Sequence, residues 1–335
     1  MRKLGIFILG TALSVSFLFC NTHAVIGVAE EKNVYVGGMS AGFTLKTGGT
    51  QIIGMCEVVS DNGVSSPALD AGLRAGDMIV KIGGIRIEST QELNEIVNKS
   101  QGKSLTIDII RGESAHSYEI IPKKDKVTQR YKIGVLVRDS VSGIGTVTYI
   151  EKKSGRFGSL GHSVVGEDRK EMQISDGTVY ECSIVGIHKG VRGKAGELRG
   201  MFLNDKPLGS AEKLCNCGIF GQIDEDFSTS GLMSAVADSS TAKPGDAYIY
   251  STVNGVCPKR YEIEIVKVDK NNKENKNYVI KVTDDALIEE TGGIVQGMSG
   301  SPILQDGKLI GAVTHVFLND PTRGYGINID TMLQE

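Results

Sequence analysis

At 335 residues, with 37 basic and 40 acidic side chains, a net charge of −3 and no long block of like charges, the chain carries no electrostatic footprint for nucleic acid. Its length suggests about two domains, with ample chain to bury a core. Forty-three Gly, seven Pro, no Trp and many short apolar runs broken by Gly, Asn and Asp predict a turn-rich, mainly β protein.

The first element is an apolar run from Leu4 to Cys20, preceded by Arg2 and Lys3 and followed by Ala24. It is longer than a signal-peptide core of about 7–15 residues and just short of the roughly 18 that mark a clear span. Residues 1–24 therefore read as a signal peptide or signal anchor, and the charges ahead of the run send the remainder of the chain across the membrane. A buried structural helix is the blander reading, which the position at residue 4 opposes. Cys20 belongs to this leader; Cys56, Cys182, Cys215, Cys217 and Cys257 remain, with no pairing legible. Cys215 and Cys217 lack the two-residue gap of a zinc knuckle and no His cluster flanks them, so no metal site is predicted.

Residues 33–122 form the next unit. In "DAGLRAGDMIVKIGG" Met78, Val80 and Ile82 alternate as a strand, a Gly83-Gly84 turn follows, and Ile85 and Ile87 resume the alternation. Ser89 and Glu92 make a capping box for a helix with Leu93, Ile96 and Val97 on one face, and Leu105, Ile107 and Ile109 give a further strand. This order resembles the circularly permuted, bacterial form of the PDZ domain. The resemblance implies that a peptide end adds as a strand to a sheet edge beside the helix, its carboxylate held by backbone N–H groups. Ser40, Ala41, Gly42 and Phe43 are the expected peptide-binding loop, Gly42 permitting a strained backbone. A plain strand end with a core Phe is the competing reading.

A basic linker, residues 123–132, leads into residues 133–335, where short strands such as "GTVTYI", "RYEIEIVKV" and "NYVIKV" predict a sandwich or barrel. The polar stretch Asp269 to Asn277 reads as an exposed hairpin tip. Near the end, Ser299 lies among Gly297, Met298, Gly300, Ser301 and Pro302, ahead of two apolar runs split by Asp306-Gly307, the signature of a hairpin. A hydroxyl nucleophile needs a base, a group that orients the base, and donors for the developing oxyanion. Of five histidines, His23 falls in the leader and His116 in the last hairpin of the PDZ-like unit. His162 sits at a glycine-lined corner that would fix an imidazole in place, His315 alternates on a strand beside the serine, and His188 has no evident partner. Each is also compatible with a structural role. For the orienting acid Asp284 is preferred, following an apolar strand, with Asp285 as the alternative.

The segments "RDSVSGIGTVTYIEKKSGRFGSLGHSVV", "NCGIFGQI", "KVTDDALIEETGGIVQGMSGSP" and "IGAVTHVFLNDPTRGYGINIDTML" resemble the stage IV sporulation B family of PDZ-containing serine peptidases of endospore-forming bacteria. Carried over by motif, the catalytic residues are His162, Asp284 and Ser299. The serine segment is also similar to that of chymotrypsin-like peptidases, which implies a two-lobed β-barrel fold and an oxyanion hole from the N–H groups of Gly297 and Ser299. Asp284 departs from that pattern, lying only fifteen residues before Ser299.

The resemblance implies a serine endopeptidase without metal or organic cofactor, exported across the forespore membrane into the intermembrane space and either anchored or released after cleavage. It would cleave its own N-terminal region and a membrane-bound regulator of an intramembrane metalloprotease, so activating a late sigma factor. The PDZ groove would hold the enzyme's own cut end or the substrate's. The competing class is a non-catalytic PDZ adaptor with a peptidase-like domain.

Overall fold

The computed structural model describes residues 32–164, 176–203 and 207–335. The leader, residues 1–24, lies outside them. Among the described residues no helix is long and apolar enough to cross a membrane.

Most strands close into two antiparallel rings. The first runs from Ser40–Met55 to Val135–Glu151, Arg156–Ser159, Gly218–Ile223, Gly209–Cys215 and Asp176–His188, which pairs back onto Ser40–Met55. The second runs from Gly245–Ser251 to Lys259–Val268, Tyr278–Val282, Asp320–Asn328, Lys308–Phe317 and Pro302–Gln305, which returns to Gly245–Ser251. Closure leaves neither ring with an unpaired edge. Alternation explains why these runs are barrel strands: Tyr261, Ile263 and Ile265 are buried while Glu262 and Glu264 face water. Tyr149 and Phe220 of the first barrel pack with Leu304, Leu309, Ala312 and Ile327 of the second in one apolar cluster that joins them.

The PDZ-like unit is inserted within the first barrel. Its core gathers Ile52, Leu73, Ile79, Ile82, Leu93, Val97, Ile107 and Ile109. Ser89 caps the helix Thr90–Lys99 by accepting from the Glu92 N–H, whereas the Glu92 carboxylate reaches back to the N–H of Glu88. Buried Asp77 accepts from Arg111 through both carboxylate oxygens, each at 2.7 Å, and from the Arg74 N–H, while Arg111 also donates to the Gly72 carbonyl. Burial works to raise the Asp77 pKa, but the guanidinium and the amide outweigh it and hold the carboxyl below its usual range.

The boundary of this unit differs from the expected start at residue 33. Asn33–Val36 pairs with Val135–Glu151 and Ser234–Ala237 on the barrel side. Ser40–Met55 serves both regions: Ser40 to Lys46 lie within the first barrel, while Thr50 and Gln51 pair with Ile79 and Met78 of the PDZ-like sheet. The linker is itself a small hairpin, Lys123–Lys124 against Tyr131–Lys132, turned by Asp125 accepting from the N–H and hydroxyl of Thr128. The polar stretch from Asp269 turns at the surface but is latched by buried Asn277, whose amide donates to the carbonyls of Asp269 and Asn272 and accepts from the N–H of Asn328.

Candidate active site

The serine segment is held from both ends. Asp284 opens the helix Asp285–Thr291, and Gly292, in the left-handed region at φ 78°, closes it. The chain then meets the strand Glu197–Phe202, the hairpin partner of Asp176–His188: the Gln296 N–H donates to the Gly196 carbonyl at 2.9 Å and the Gln296 carbonyl accepts from the Leu198 N–H at 2.8 Å. After Ser299 comes the hairpin Pro302–Gln305 and Lys308–Phe317, whose Asp306 and Gly307 both have positive φ, as a tight two-residue turn requires. The Ser299 hydroxyl donates to the Thr314 carbonyl at 2.8 Å. Among the described residues the amide hydrogens of Gly297 and Ser299 find no acceptor.

His162 reaches the same place from the opposite barrel. The strand Arg156–Ser159 ends in Leu160 and Gly161, at φ 68° and 72°, and this corner turns the chain onto the second barrel. Gly161 is required there, because a Cβ would fall 2.9 Å from the Thr314 methyl and 3.0 Å from Ile327. The His162 Nδ1–H donates to the Ser163 carbonyl at 2.7 Å, which leaves Nε2 as the acceptor nitrogen. Its ring lies 4.9 Å from that of His315, centroid to centroid. Burial pushes the His162 pKa below the usual imidazole value, against the opposing pull of the Ser163 carbonyl. Burial, then His162 and Lys276, push His315 down to about 4, so both rings are neutral at neutral pH.

His162, His315, Gly297 and Ser299 share one cleft of about 490 Å³. Phe43, Leu45, Ile144, Leu160, Ile219 and Val316 make its walls largely apolar. A hydroxyl, a neutral imidazole with a free acceptor nitrogen and two unengaged amides in one apolar cleft are the parts that acyl transfer uses.

The comparisons with known proteins bear on the family. Residues 129–333 match the family described as SpoIVB peptidase S55, and residues 59–111 match the PDZ domain. The chain belongs to the SpoIVB peptidase S55 family. It therefore carries an S55 peptidase domain together with a PDZ domain. Among curated proteins it is similar to the zinc metalloprotease RasP of Shouchella clausii, 25% identical over 139 residues, covering 39% of this chain and 33% of that one. A putative zinc metalloprotease of Helicobacter pylori is 29% identical over 140 residues, covering 37% and 39%. The chain thus spans little more than a third of the length of the curated relatives it matches. Among solved structures it is similar to the PDZ domain of the SdrC-like protein of Listeria monocytogenes, 26% identical with a TM-score of 0.22, covering 27% of this chain and 87% of that one. The active form of the Rv3671c protease of M. tuberculosis is 15% identical with a TM-score of 0.35, covering 59% and 74%.

Within this S55 peptidase the structure brings together His162, Ser299 and the amide of Gly297, and it gives the other predicted residues different places in the fold. Asp284 is a helix cap: its carboxylate accepts from the Leu287 N–H at 2.9 Å and the Glu262 N–H at 3.3 Å, and no hydrogen bond joins it to His162. The group that holds the His162 ring is the Ser163 carbonyl instead. Ser40, Ala41, Gly42 and Phe43 form no loop. They are strand residues of the first barrel, Ala41 to Phe43 paired on both sides and Ser40 with Thr146, and Gly42 lies flat against the Phe202 ring, where a Cβ would fall 2.0 Å from a ring carbon. Phe43 is a cleft wall of the peptidase.

The strand edge of the PDZ domain is also paired within the chain. Val135, Leu136, Val137 and Arg138 lie antiparallel to Met55, Gly54, Ile52 and Gln51, with Val135 and Val137 packed on the domain core beside Ile96. The Asp139 carboxylate accepts from the Thr90 N–H at 2.7 Å, at the start of the domain helix. This is the geometry in which PDZ domains add a peptide strand. His188, without an evident partner in the sequence, pairs with Glu197 across a hairpin at 3.0 Å. Cys215 and Cys217 approach to 2.9 Å between sulfurs and lie with Glu335 within 4.8 Å, but the Lys213 ammonium already neutralises that carboxylate. The sequence reading missed Thr146 and Thr148, whose hydroxyls grip the serine segment; their only signal was two threonines alternating in "GTVT".

Proposed function

We propose that Ser299 is the nucleophile and His162 the general base of an exported serine endopeptidase. The observation that carries this is the shared cleft of His162, Ser299 and the two free amides. As Ser299 Oγ bonds to a substrate carbonyl carbon, its proton passes to His162 Nε2, and the amides of Gly297 and Ser299 receive the oxyanion. Collapse breaks the C–N bond, and the leaving amine takes the proton from His162. Water repeats the cycle on the acyl-enzyme. The resting Ser299 bond to the Thr314 carbonyl is exchanged for one to His162 when substrate fills the cleft, since catalytic hydrogen bonds commonly tighten only in the complex. The apolar walls favour an apolar side chain next to the scissile bond.

The family, and the similarity to zinc metalloproteases, support the wider setting: sporulation, passage into the forespore intermembrane space, self-cleavage near the N-terminus, and cleavage of a membrane-bound regulator of an intramembrane metalloprotease ahead of late sigma factor activation. A fluorophosphonate probe tests the chemistry. It labels Ser299 in the wild type, and Ser299→Ala and His162→Ala abolish labelling; labelling that survives His162→Ala removes the base from the mechanism. Mixing wild type with Ser299→Ala protein and mapping new termini by mass spectrometry tests self-cleavage, and an uncut Ser299→Ala chain refutes it in trans.

A further inference from the structure

The two amides of the cleft face it because each peptide plane of the serine segment has its carbonyl fixed on the other side. Following the planes in order, the Gln296 carbonyl is taken by the Leu198 N–H, so the Gly297 N–H on the same plane turns toward the cleft. The Met298 carbonyl is taken by the Ser301 N–H at 2.9 Å, and the Ser299 N–H turns the same way. Between these two donor planes lies the Gly297–Met298 plane. Its carbonyl accepts from the Thr146 hydroxyl at 2.8 Å. Beyond Ser299, the Gly300 carbonyl accepts from the Thr148 hydroxyl at 2.8 Å, and the Ser299 carbonyl accepts from the Thr146 N–H at 3.0 Å.

Thr146 and Thr148 are two apart on the strand Val135–Glu151, so their side chains leave the same face, and both are fully buried. Thr146 also reaches the histidine: its carbonyl accepts from the Ser159 hydroxyl at 2.6 Å, three residues before His162. One residue of the first barrel thus ties the base corner to the oxyanion donors. The fit is close, since a Cβ on Gly300 would fall 2.1 Å from the Thr146 carbonyl and 2.6 Å from the Leu160 nitrogen.

We propose that Thr146 is a positioning residue for the oxyanion donors, its hydroxyl holding the plane between the amides of Gly297 and Ser299, with Thr148 securing the far flank. This rests on Ser299 being the nucleophile. Gly297 sits at φ 100°, where glycine has wide freedom, so without the hydroxyl the segment has a low barrier to turning its donors away.

The test is the rate of fluorophosphonate labelling of the full chain. Ser299 Oγ bonds to phosphorus, fluoride leaves, the proton goes to His162, and the phosphoryl oxygen needs the same two amides. Thr146→Val keeps shape and removes the hydroxyl; its maximal labelling rate falls about 10²-fold while the half-saturating probe concentration stays within about twofold. Thr146→Ser restores the rate to within about threefold, and the acid limb of the pH profile is unmoved because His162 is untouched. Thr148→Val gives a smaller loss of about tenfold with the same signature, and it decides the matter if Thr146→Val does not fold. Wild-type rates in the folded Val variants, a Ser variant as slow as the Val one, or a loss confined to probe binding overturns the proposal. A wild type that is not labelled at all refutes the nucleophile instead.

Discussion

The PDZ edge and the peptidase cleft both present backbone N–H groups in an arrangement suited to a peptide, and they are in opposite states. At the PDZ edge the strand from Gln51 to Met55 is paired with Val135 to Arg138 of the same chain, the Ile52 N–H turning inward to the Asp77 carbonyl, and the Thr90 N–H faces Asp139. In the cleft the amides of Gly297 and Ser299 have no acceptor among the described residues. The strand that fills the first site continues into the second. Its start lies on the PDZ core, and its later residues Thr146 and Thr148 hold the serine segment. The PDZ domain therefore braces the barrel as it stands, and a free peptide has to compete with a covalently tethered one, whose effective concentration is high.

The sharpest way to break this comparison is through the base of the open site. The His162 pKa is lowered, and the base works neutral. The acid limb of Ser299 labelling should therefore have its midpoint below 6.5, the ordinary imidazole value, with the rate dropping about tenfold per unit beyond it. An acid limb at or above 6.5 would mean an exposed, uncommitted ring. The closed site is tested by Val137→Asp, which puts a charge against the PDZ core and destabilises that pairing by about 3 kcal/mol. Hydrogen exchange should then quicken along Gln51 to Met55 but not at Ile52, whose N–H is held by the Asp77 carbonyl, and a synthetic peptide of sequence IGVLVRDS should bind the variant more tightly than the wild type. Tight binding to the wild type, with the edge still protected, would show a second receptor surface.

Within the PDZ domain, Arg111→Gln should lower the midpoint of denaturant melts, because it leaves the buried Asp77 carboxylate without its charged donor. The pH sign is set by Asp77. Its carboxyl is depressed in the folded chain, so the pair stabilises above the unfolded carboxylate pKa and that stability is lost as pH falls through the folded one. The variant should show a shallower loss of stability in acid than the wild type.

What was legible in the sequence is what local chemistry determines. Ser299 and His162 stand out because a nucleophile loop and a rigid histidine corner both need glycine at fixed places, and glycine spacing is visible in one dimension. The strands of both barrels show in alternation such as Tyr261, Ile263 and Ile265. Ser40 to Phe43 misled because a glycine-bearing strand and a carboxylate-binding loop have the same composition; only the pairing with residues 143 to 146 and 179 to 181, far off in sequence, separates them. The Thr146 and Thr148 hydroxyls were invisible for the same reason, since their partners lie more than a hundred residues downstream.

The smallest expected effect carries the finest distinction, because Asp284 can be either an orienting acid or a helix cap. The sequence allows both: a carboxylate after an apolar strand and ahead of a short helix suits a triad and an N-cap alike. In the structure its oxygens are committed to the Leu287 and Glu262 amides, and His162 is held by a main-chain carbonyl. Asp284→Asn keeps a capping oxygen, so labelling should stay within about threefold of wild type and stability within a few tenths of a kcal/mol, whereas Asp284→Ala should lose about 1 kcal/mol through the frayed helix. Were Asp284 the orienting acid, the Asn variant would lose about 10⁴-fold in turnover with its stability intact. That outcome would require the carboxylate to leave its cap and reach the imidazole when substrate binds, and it would separate the working geometry of the cleft from its resting one.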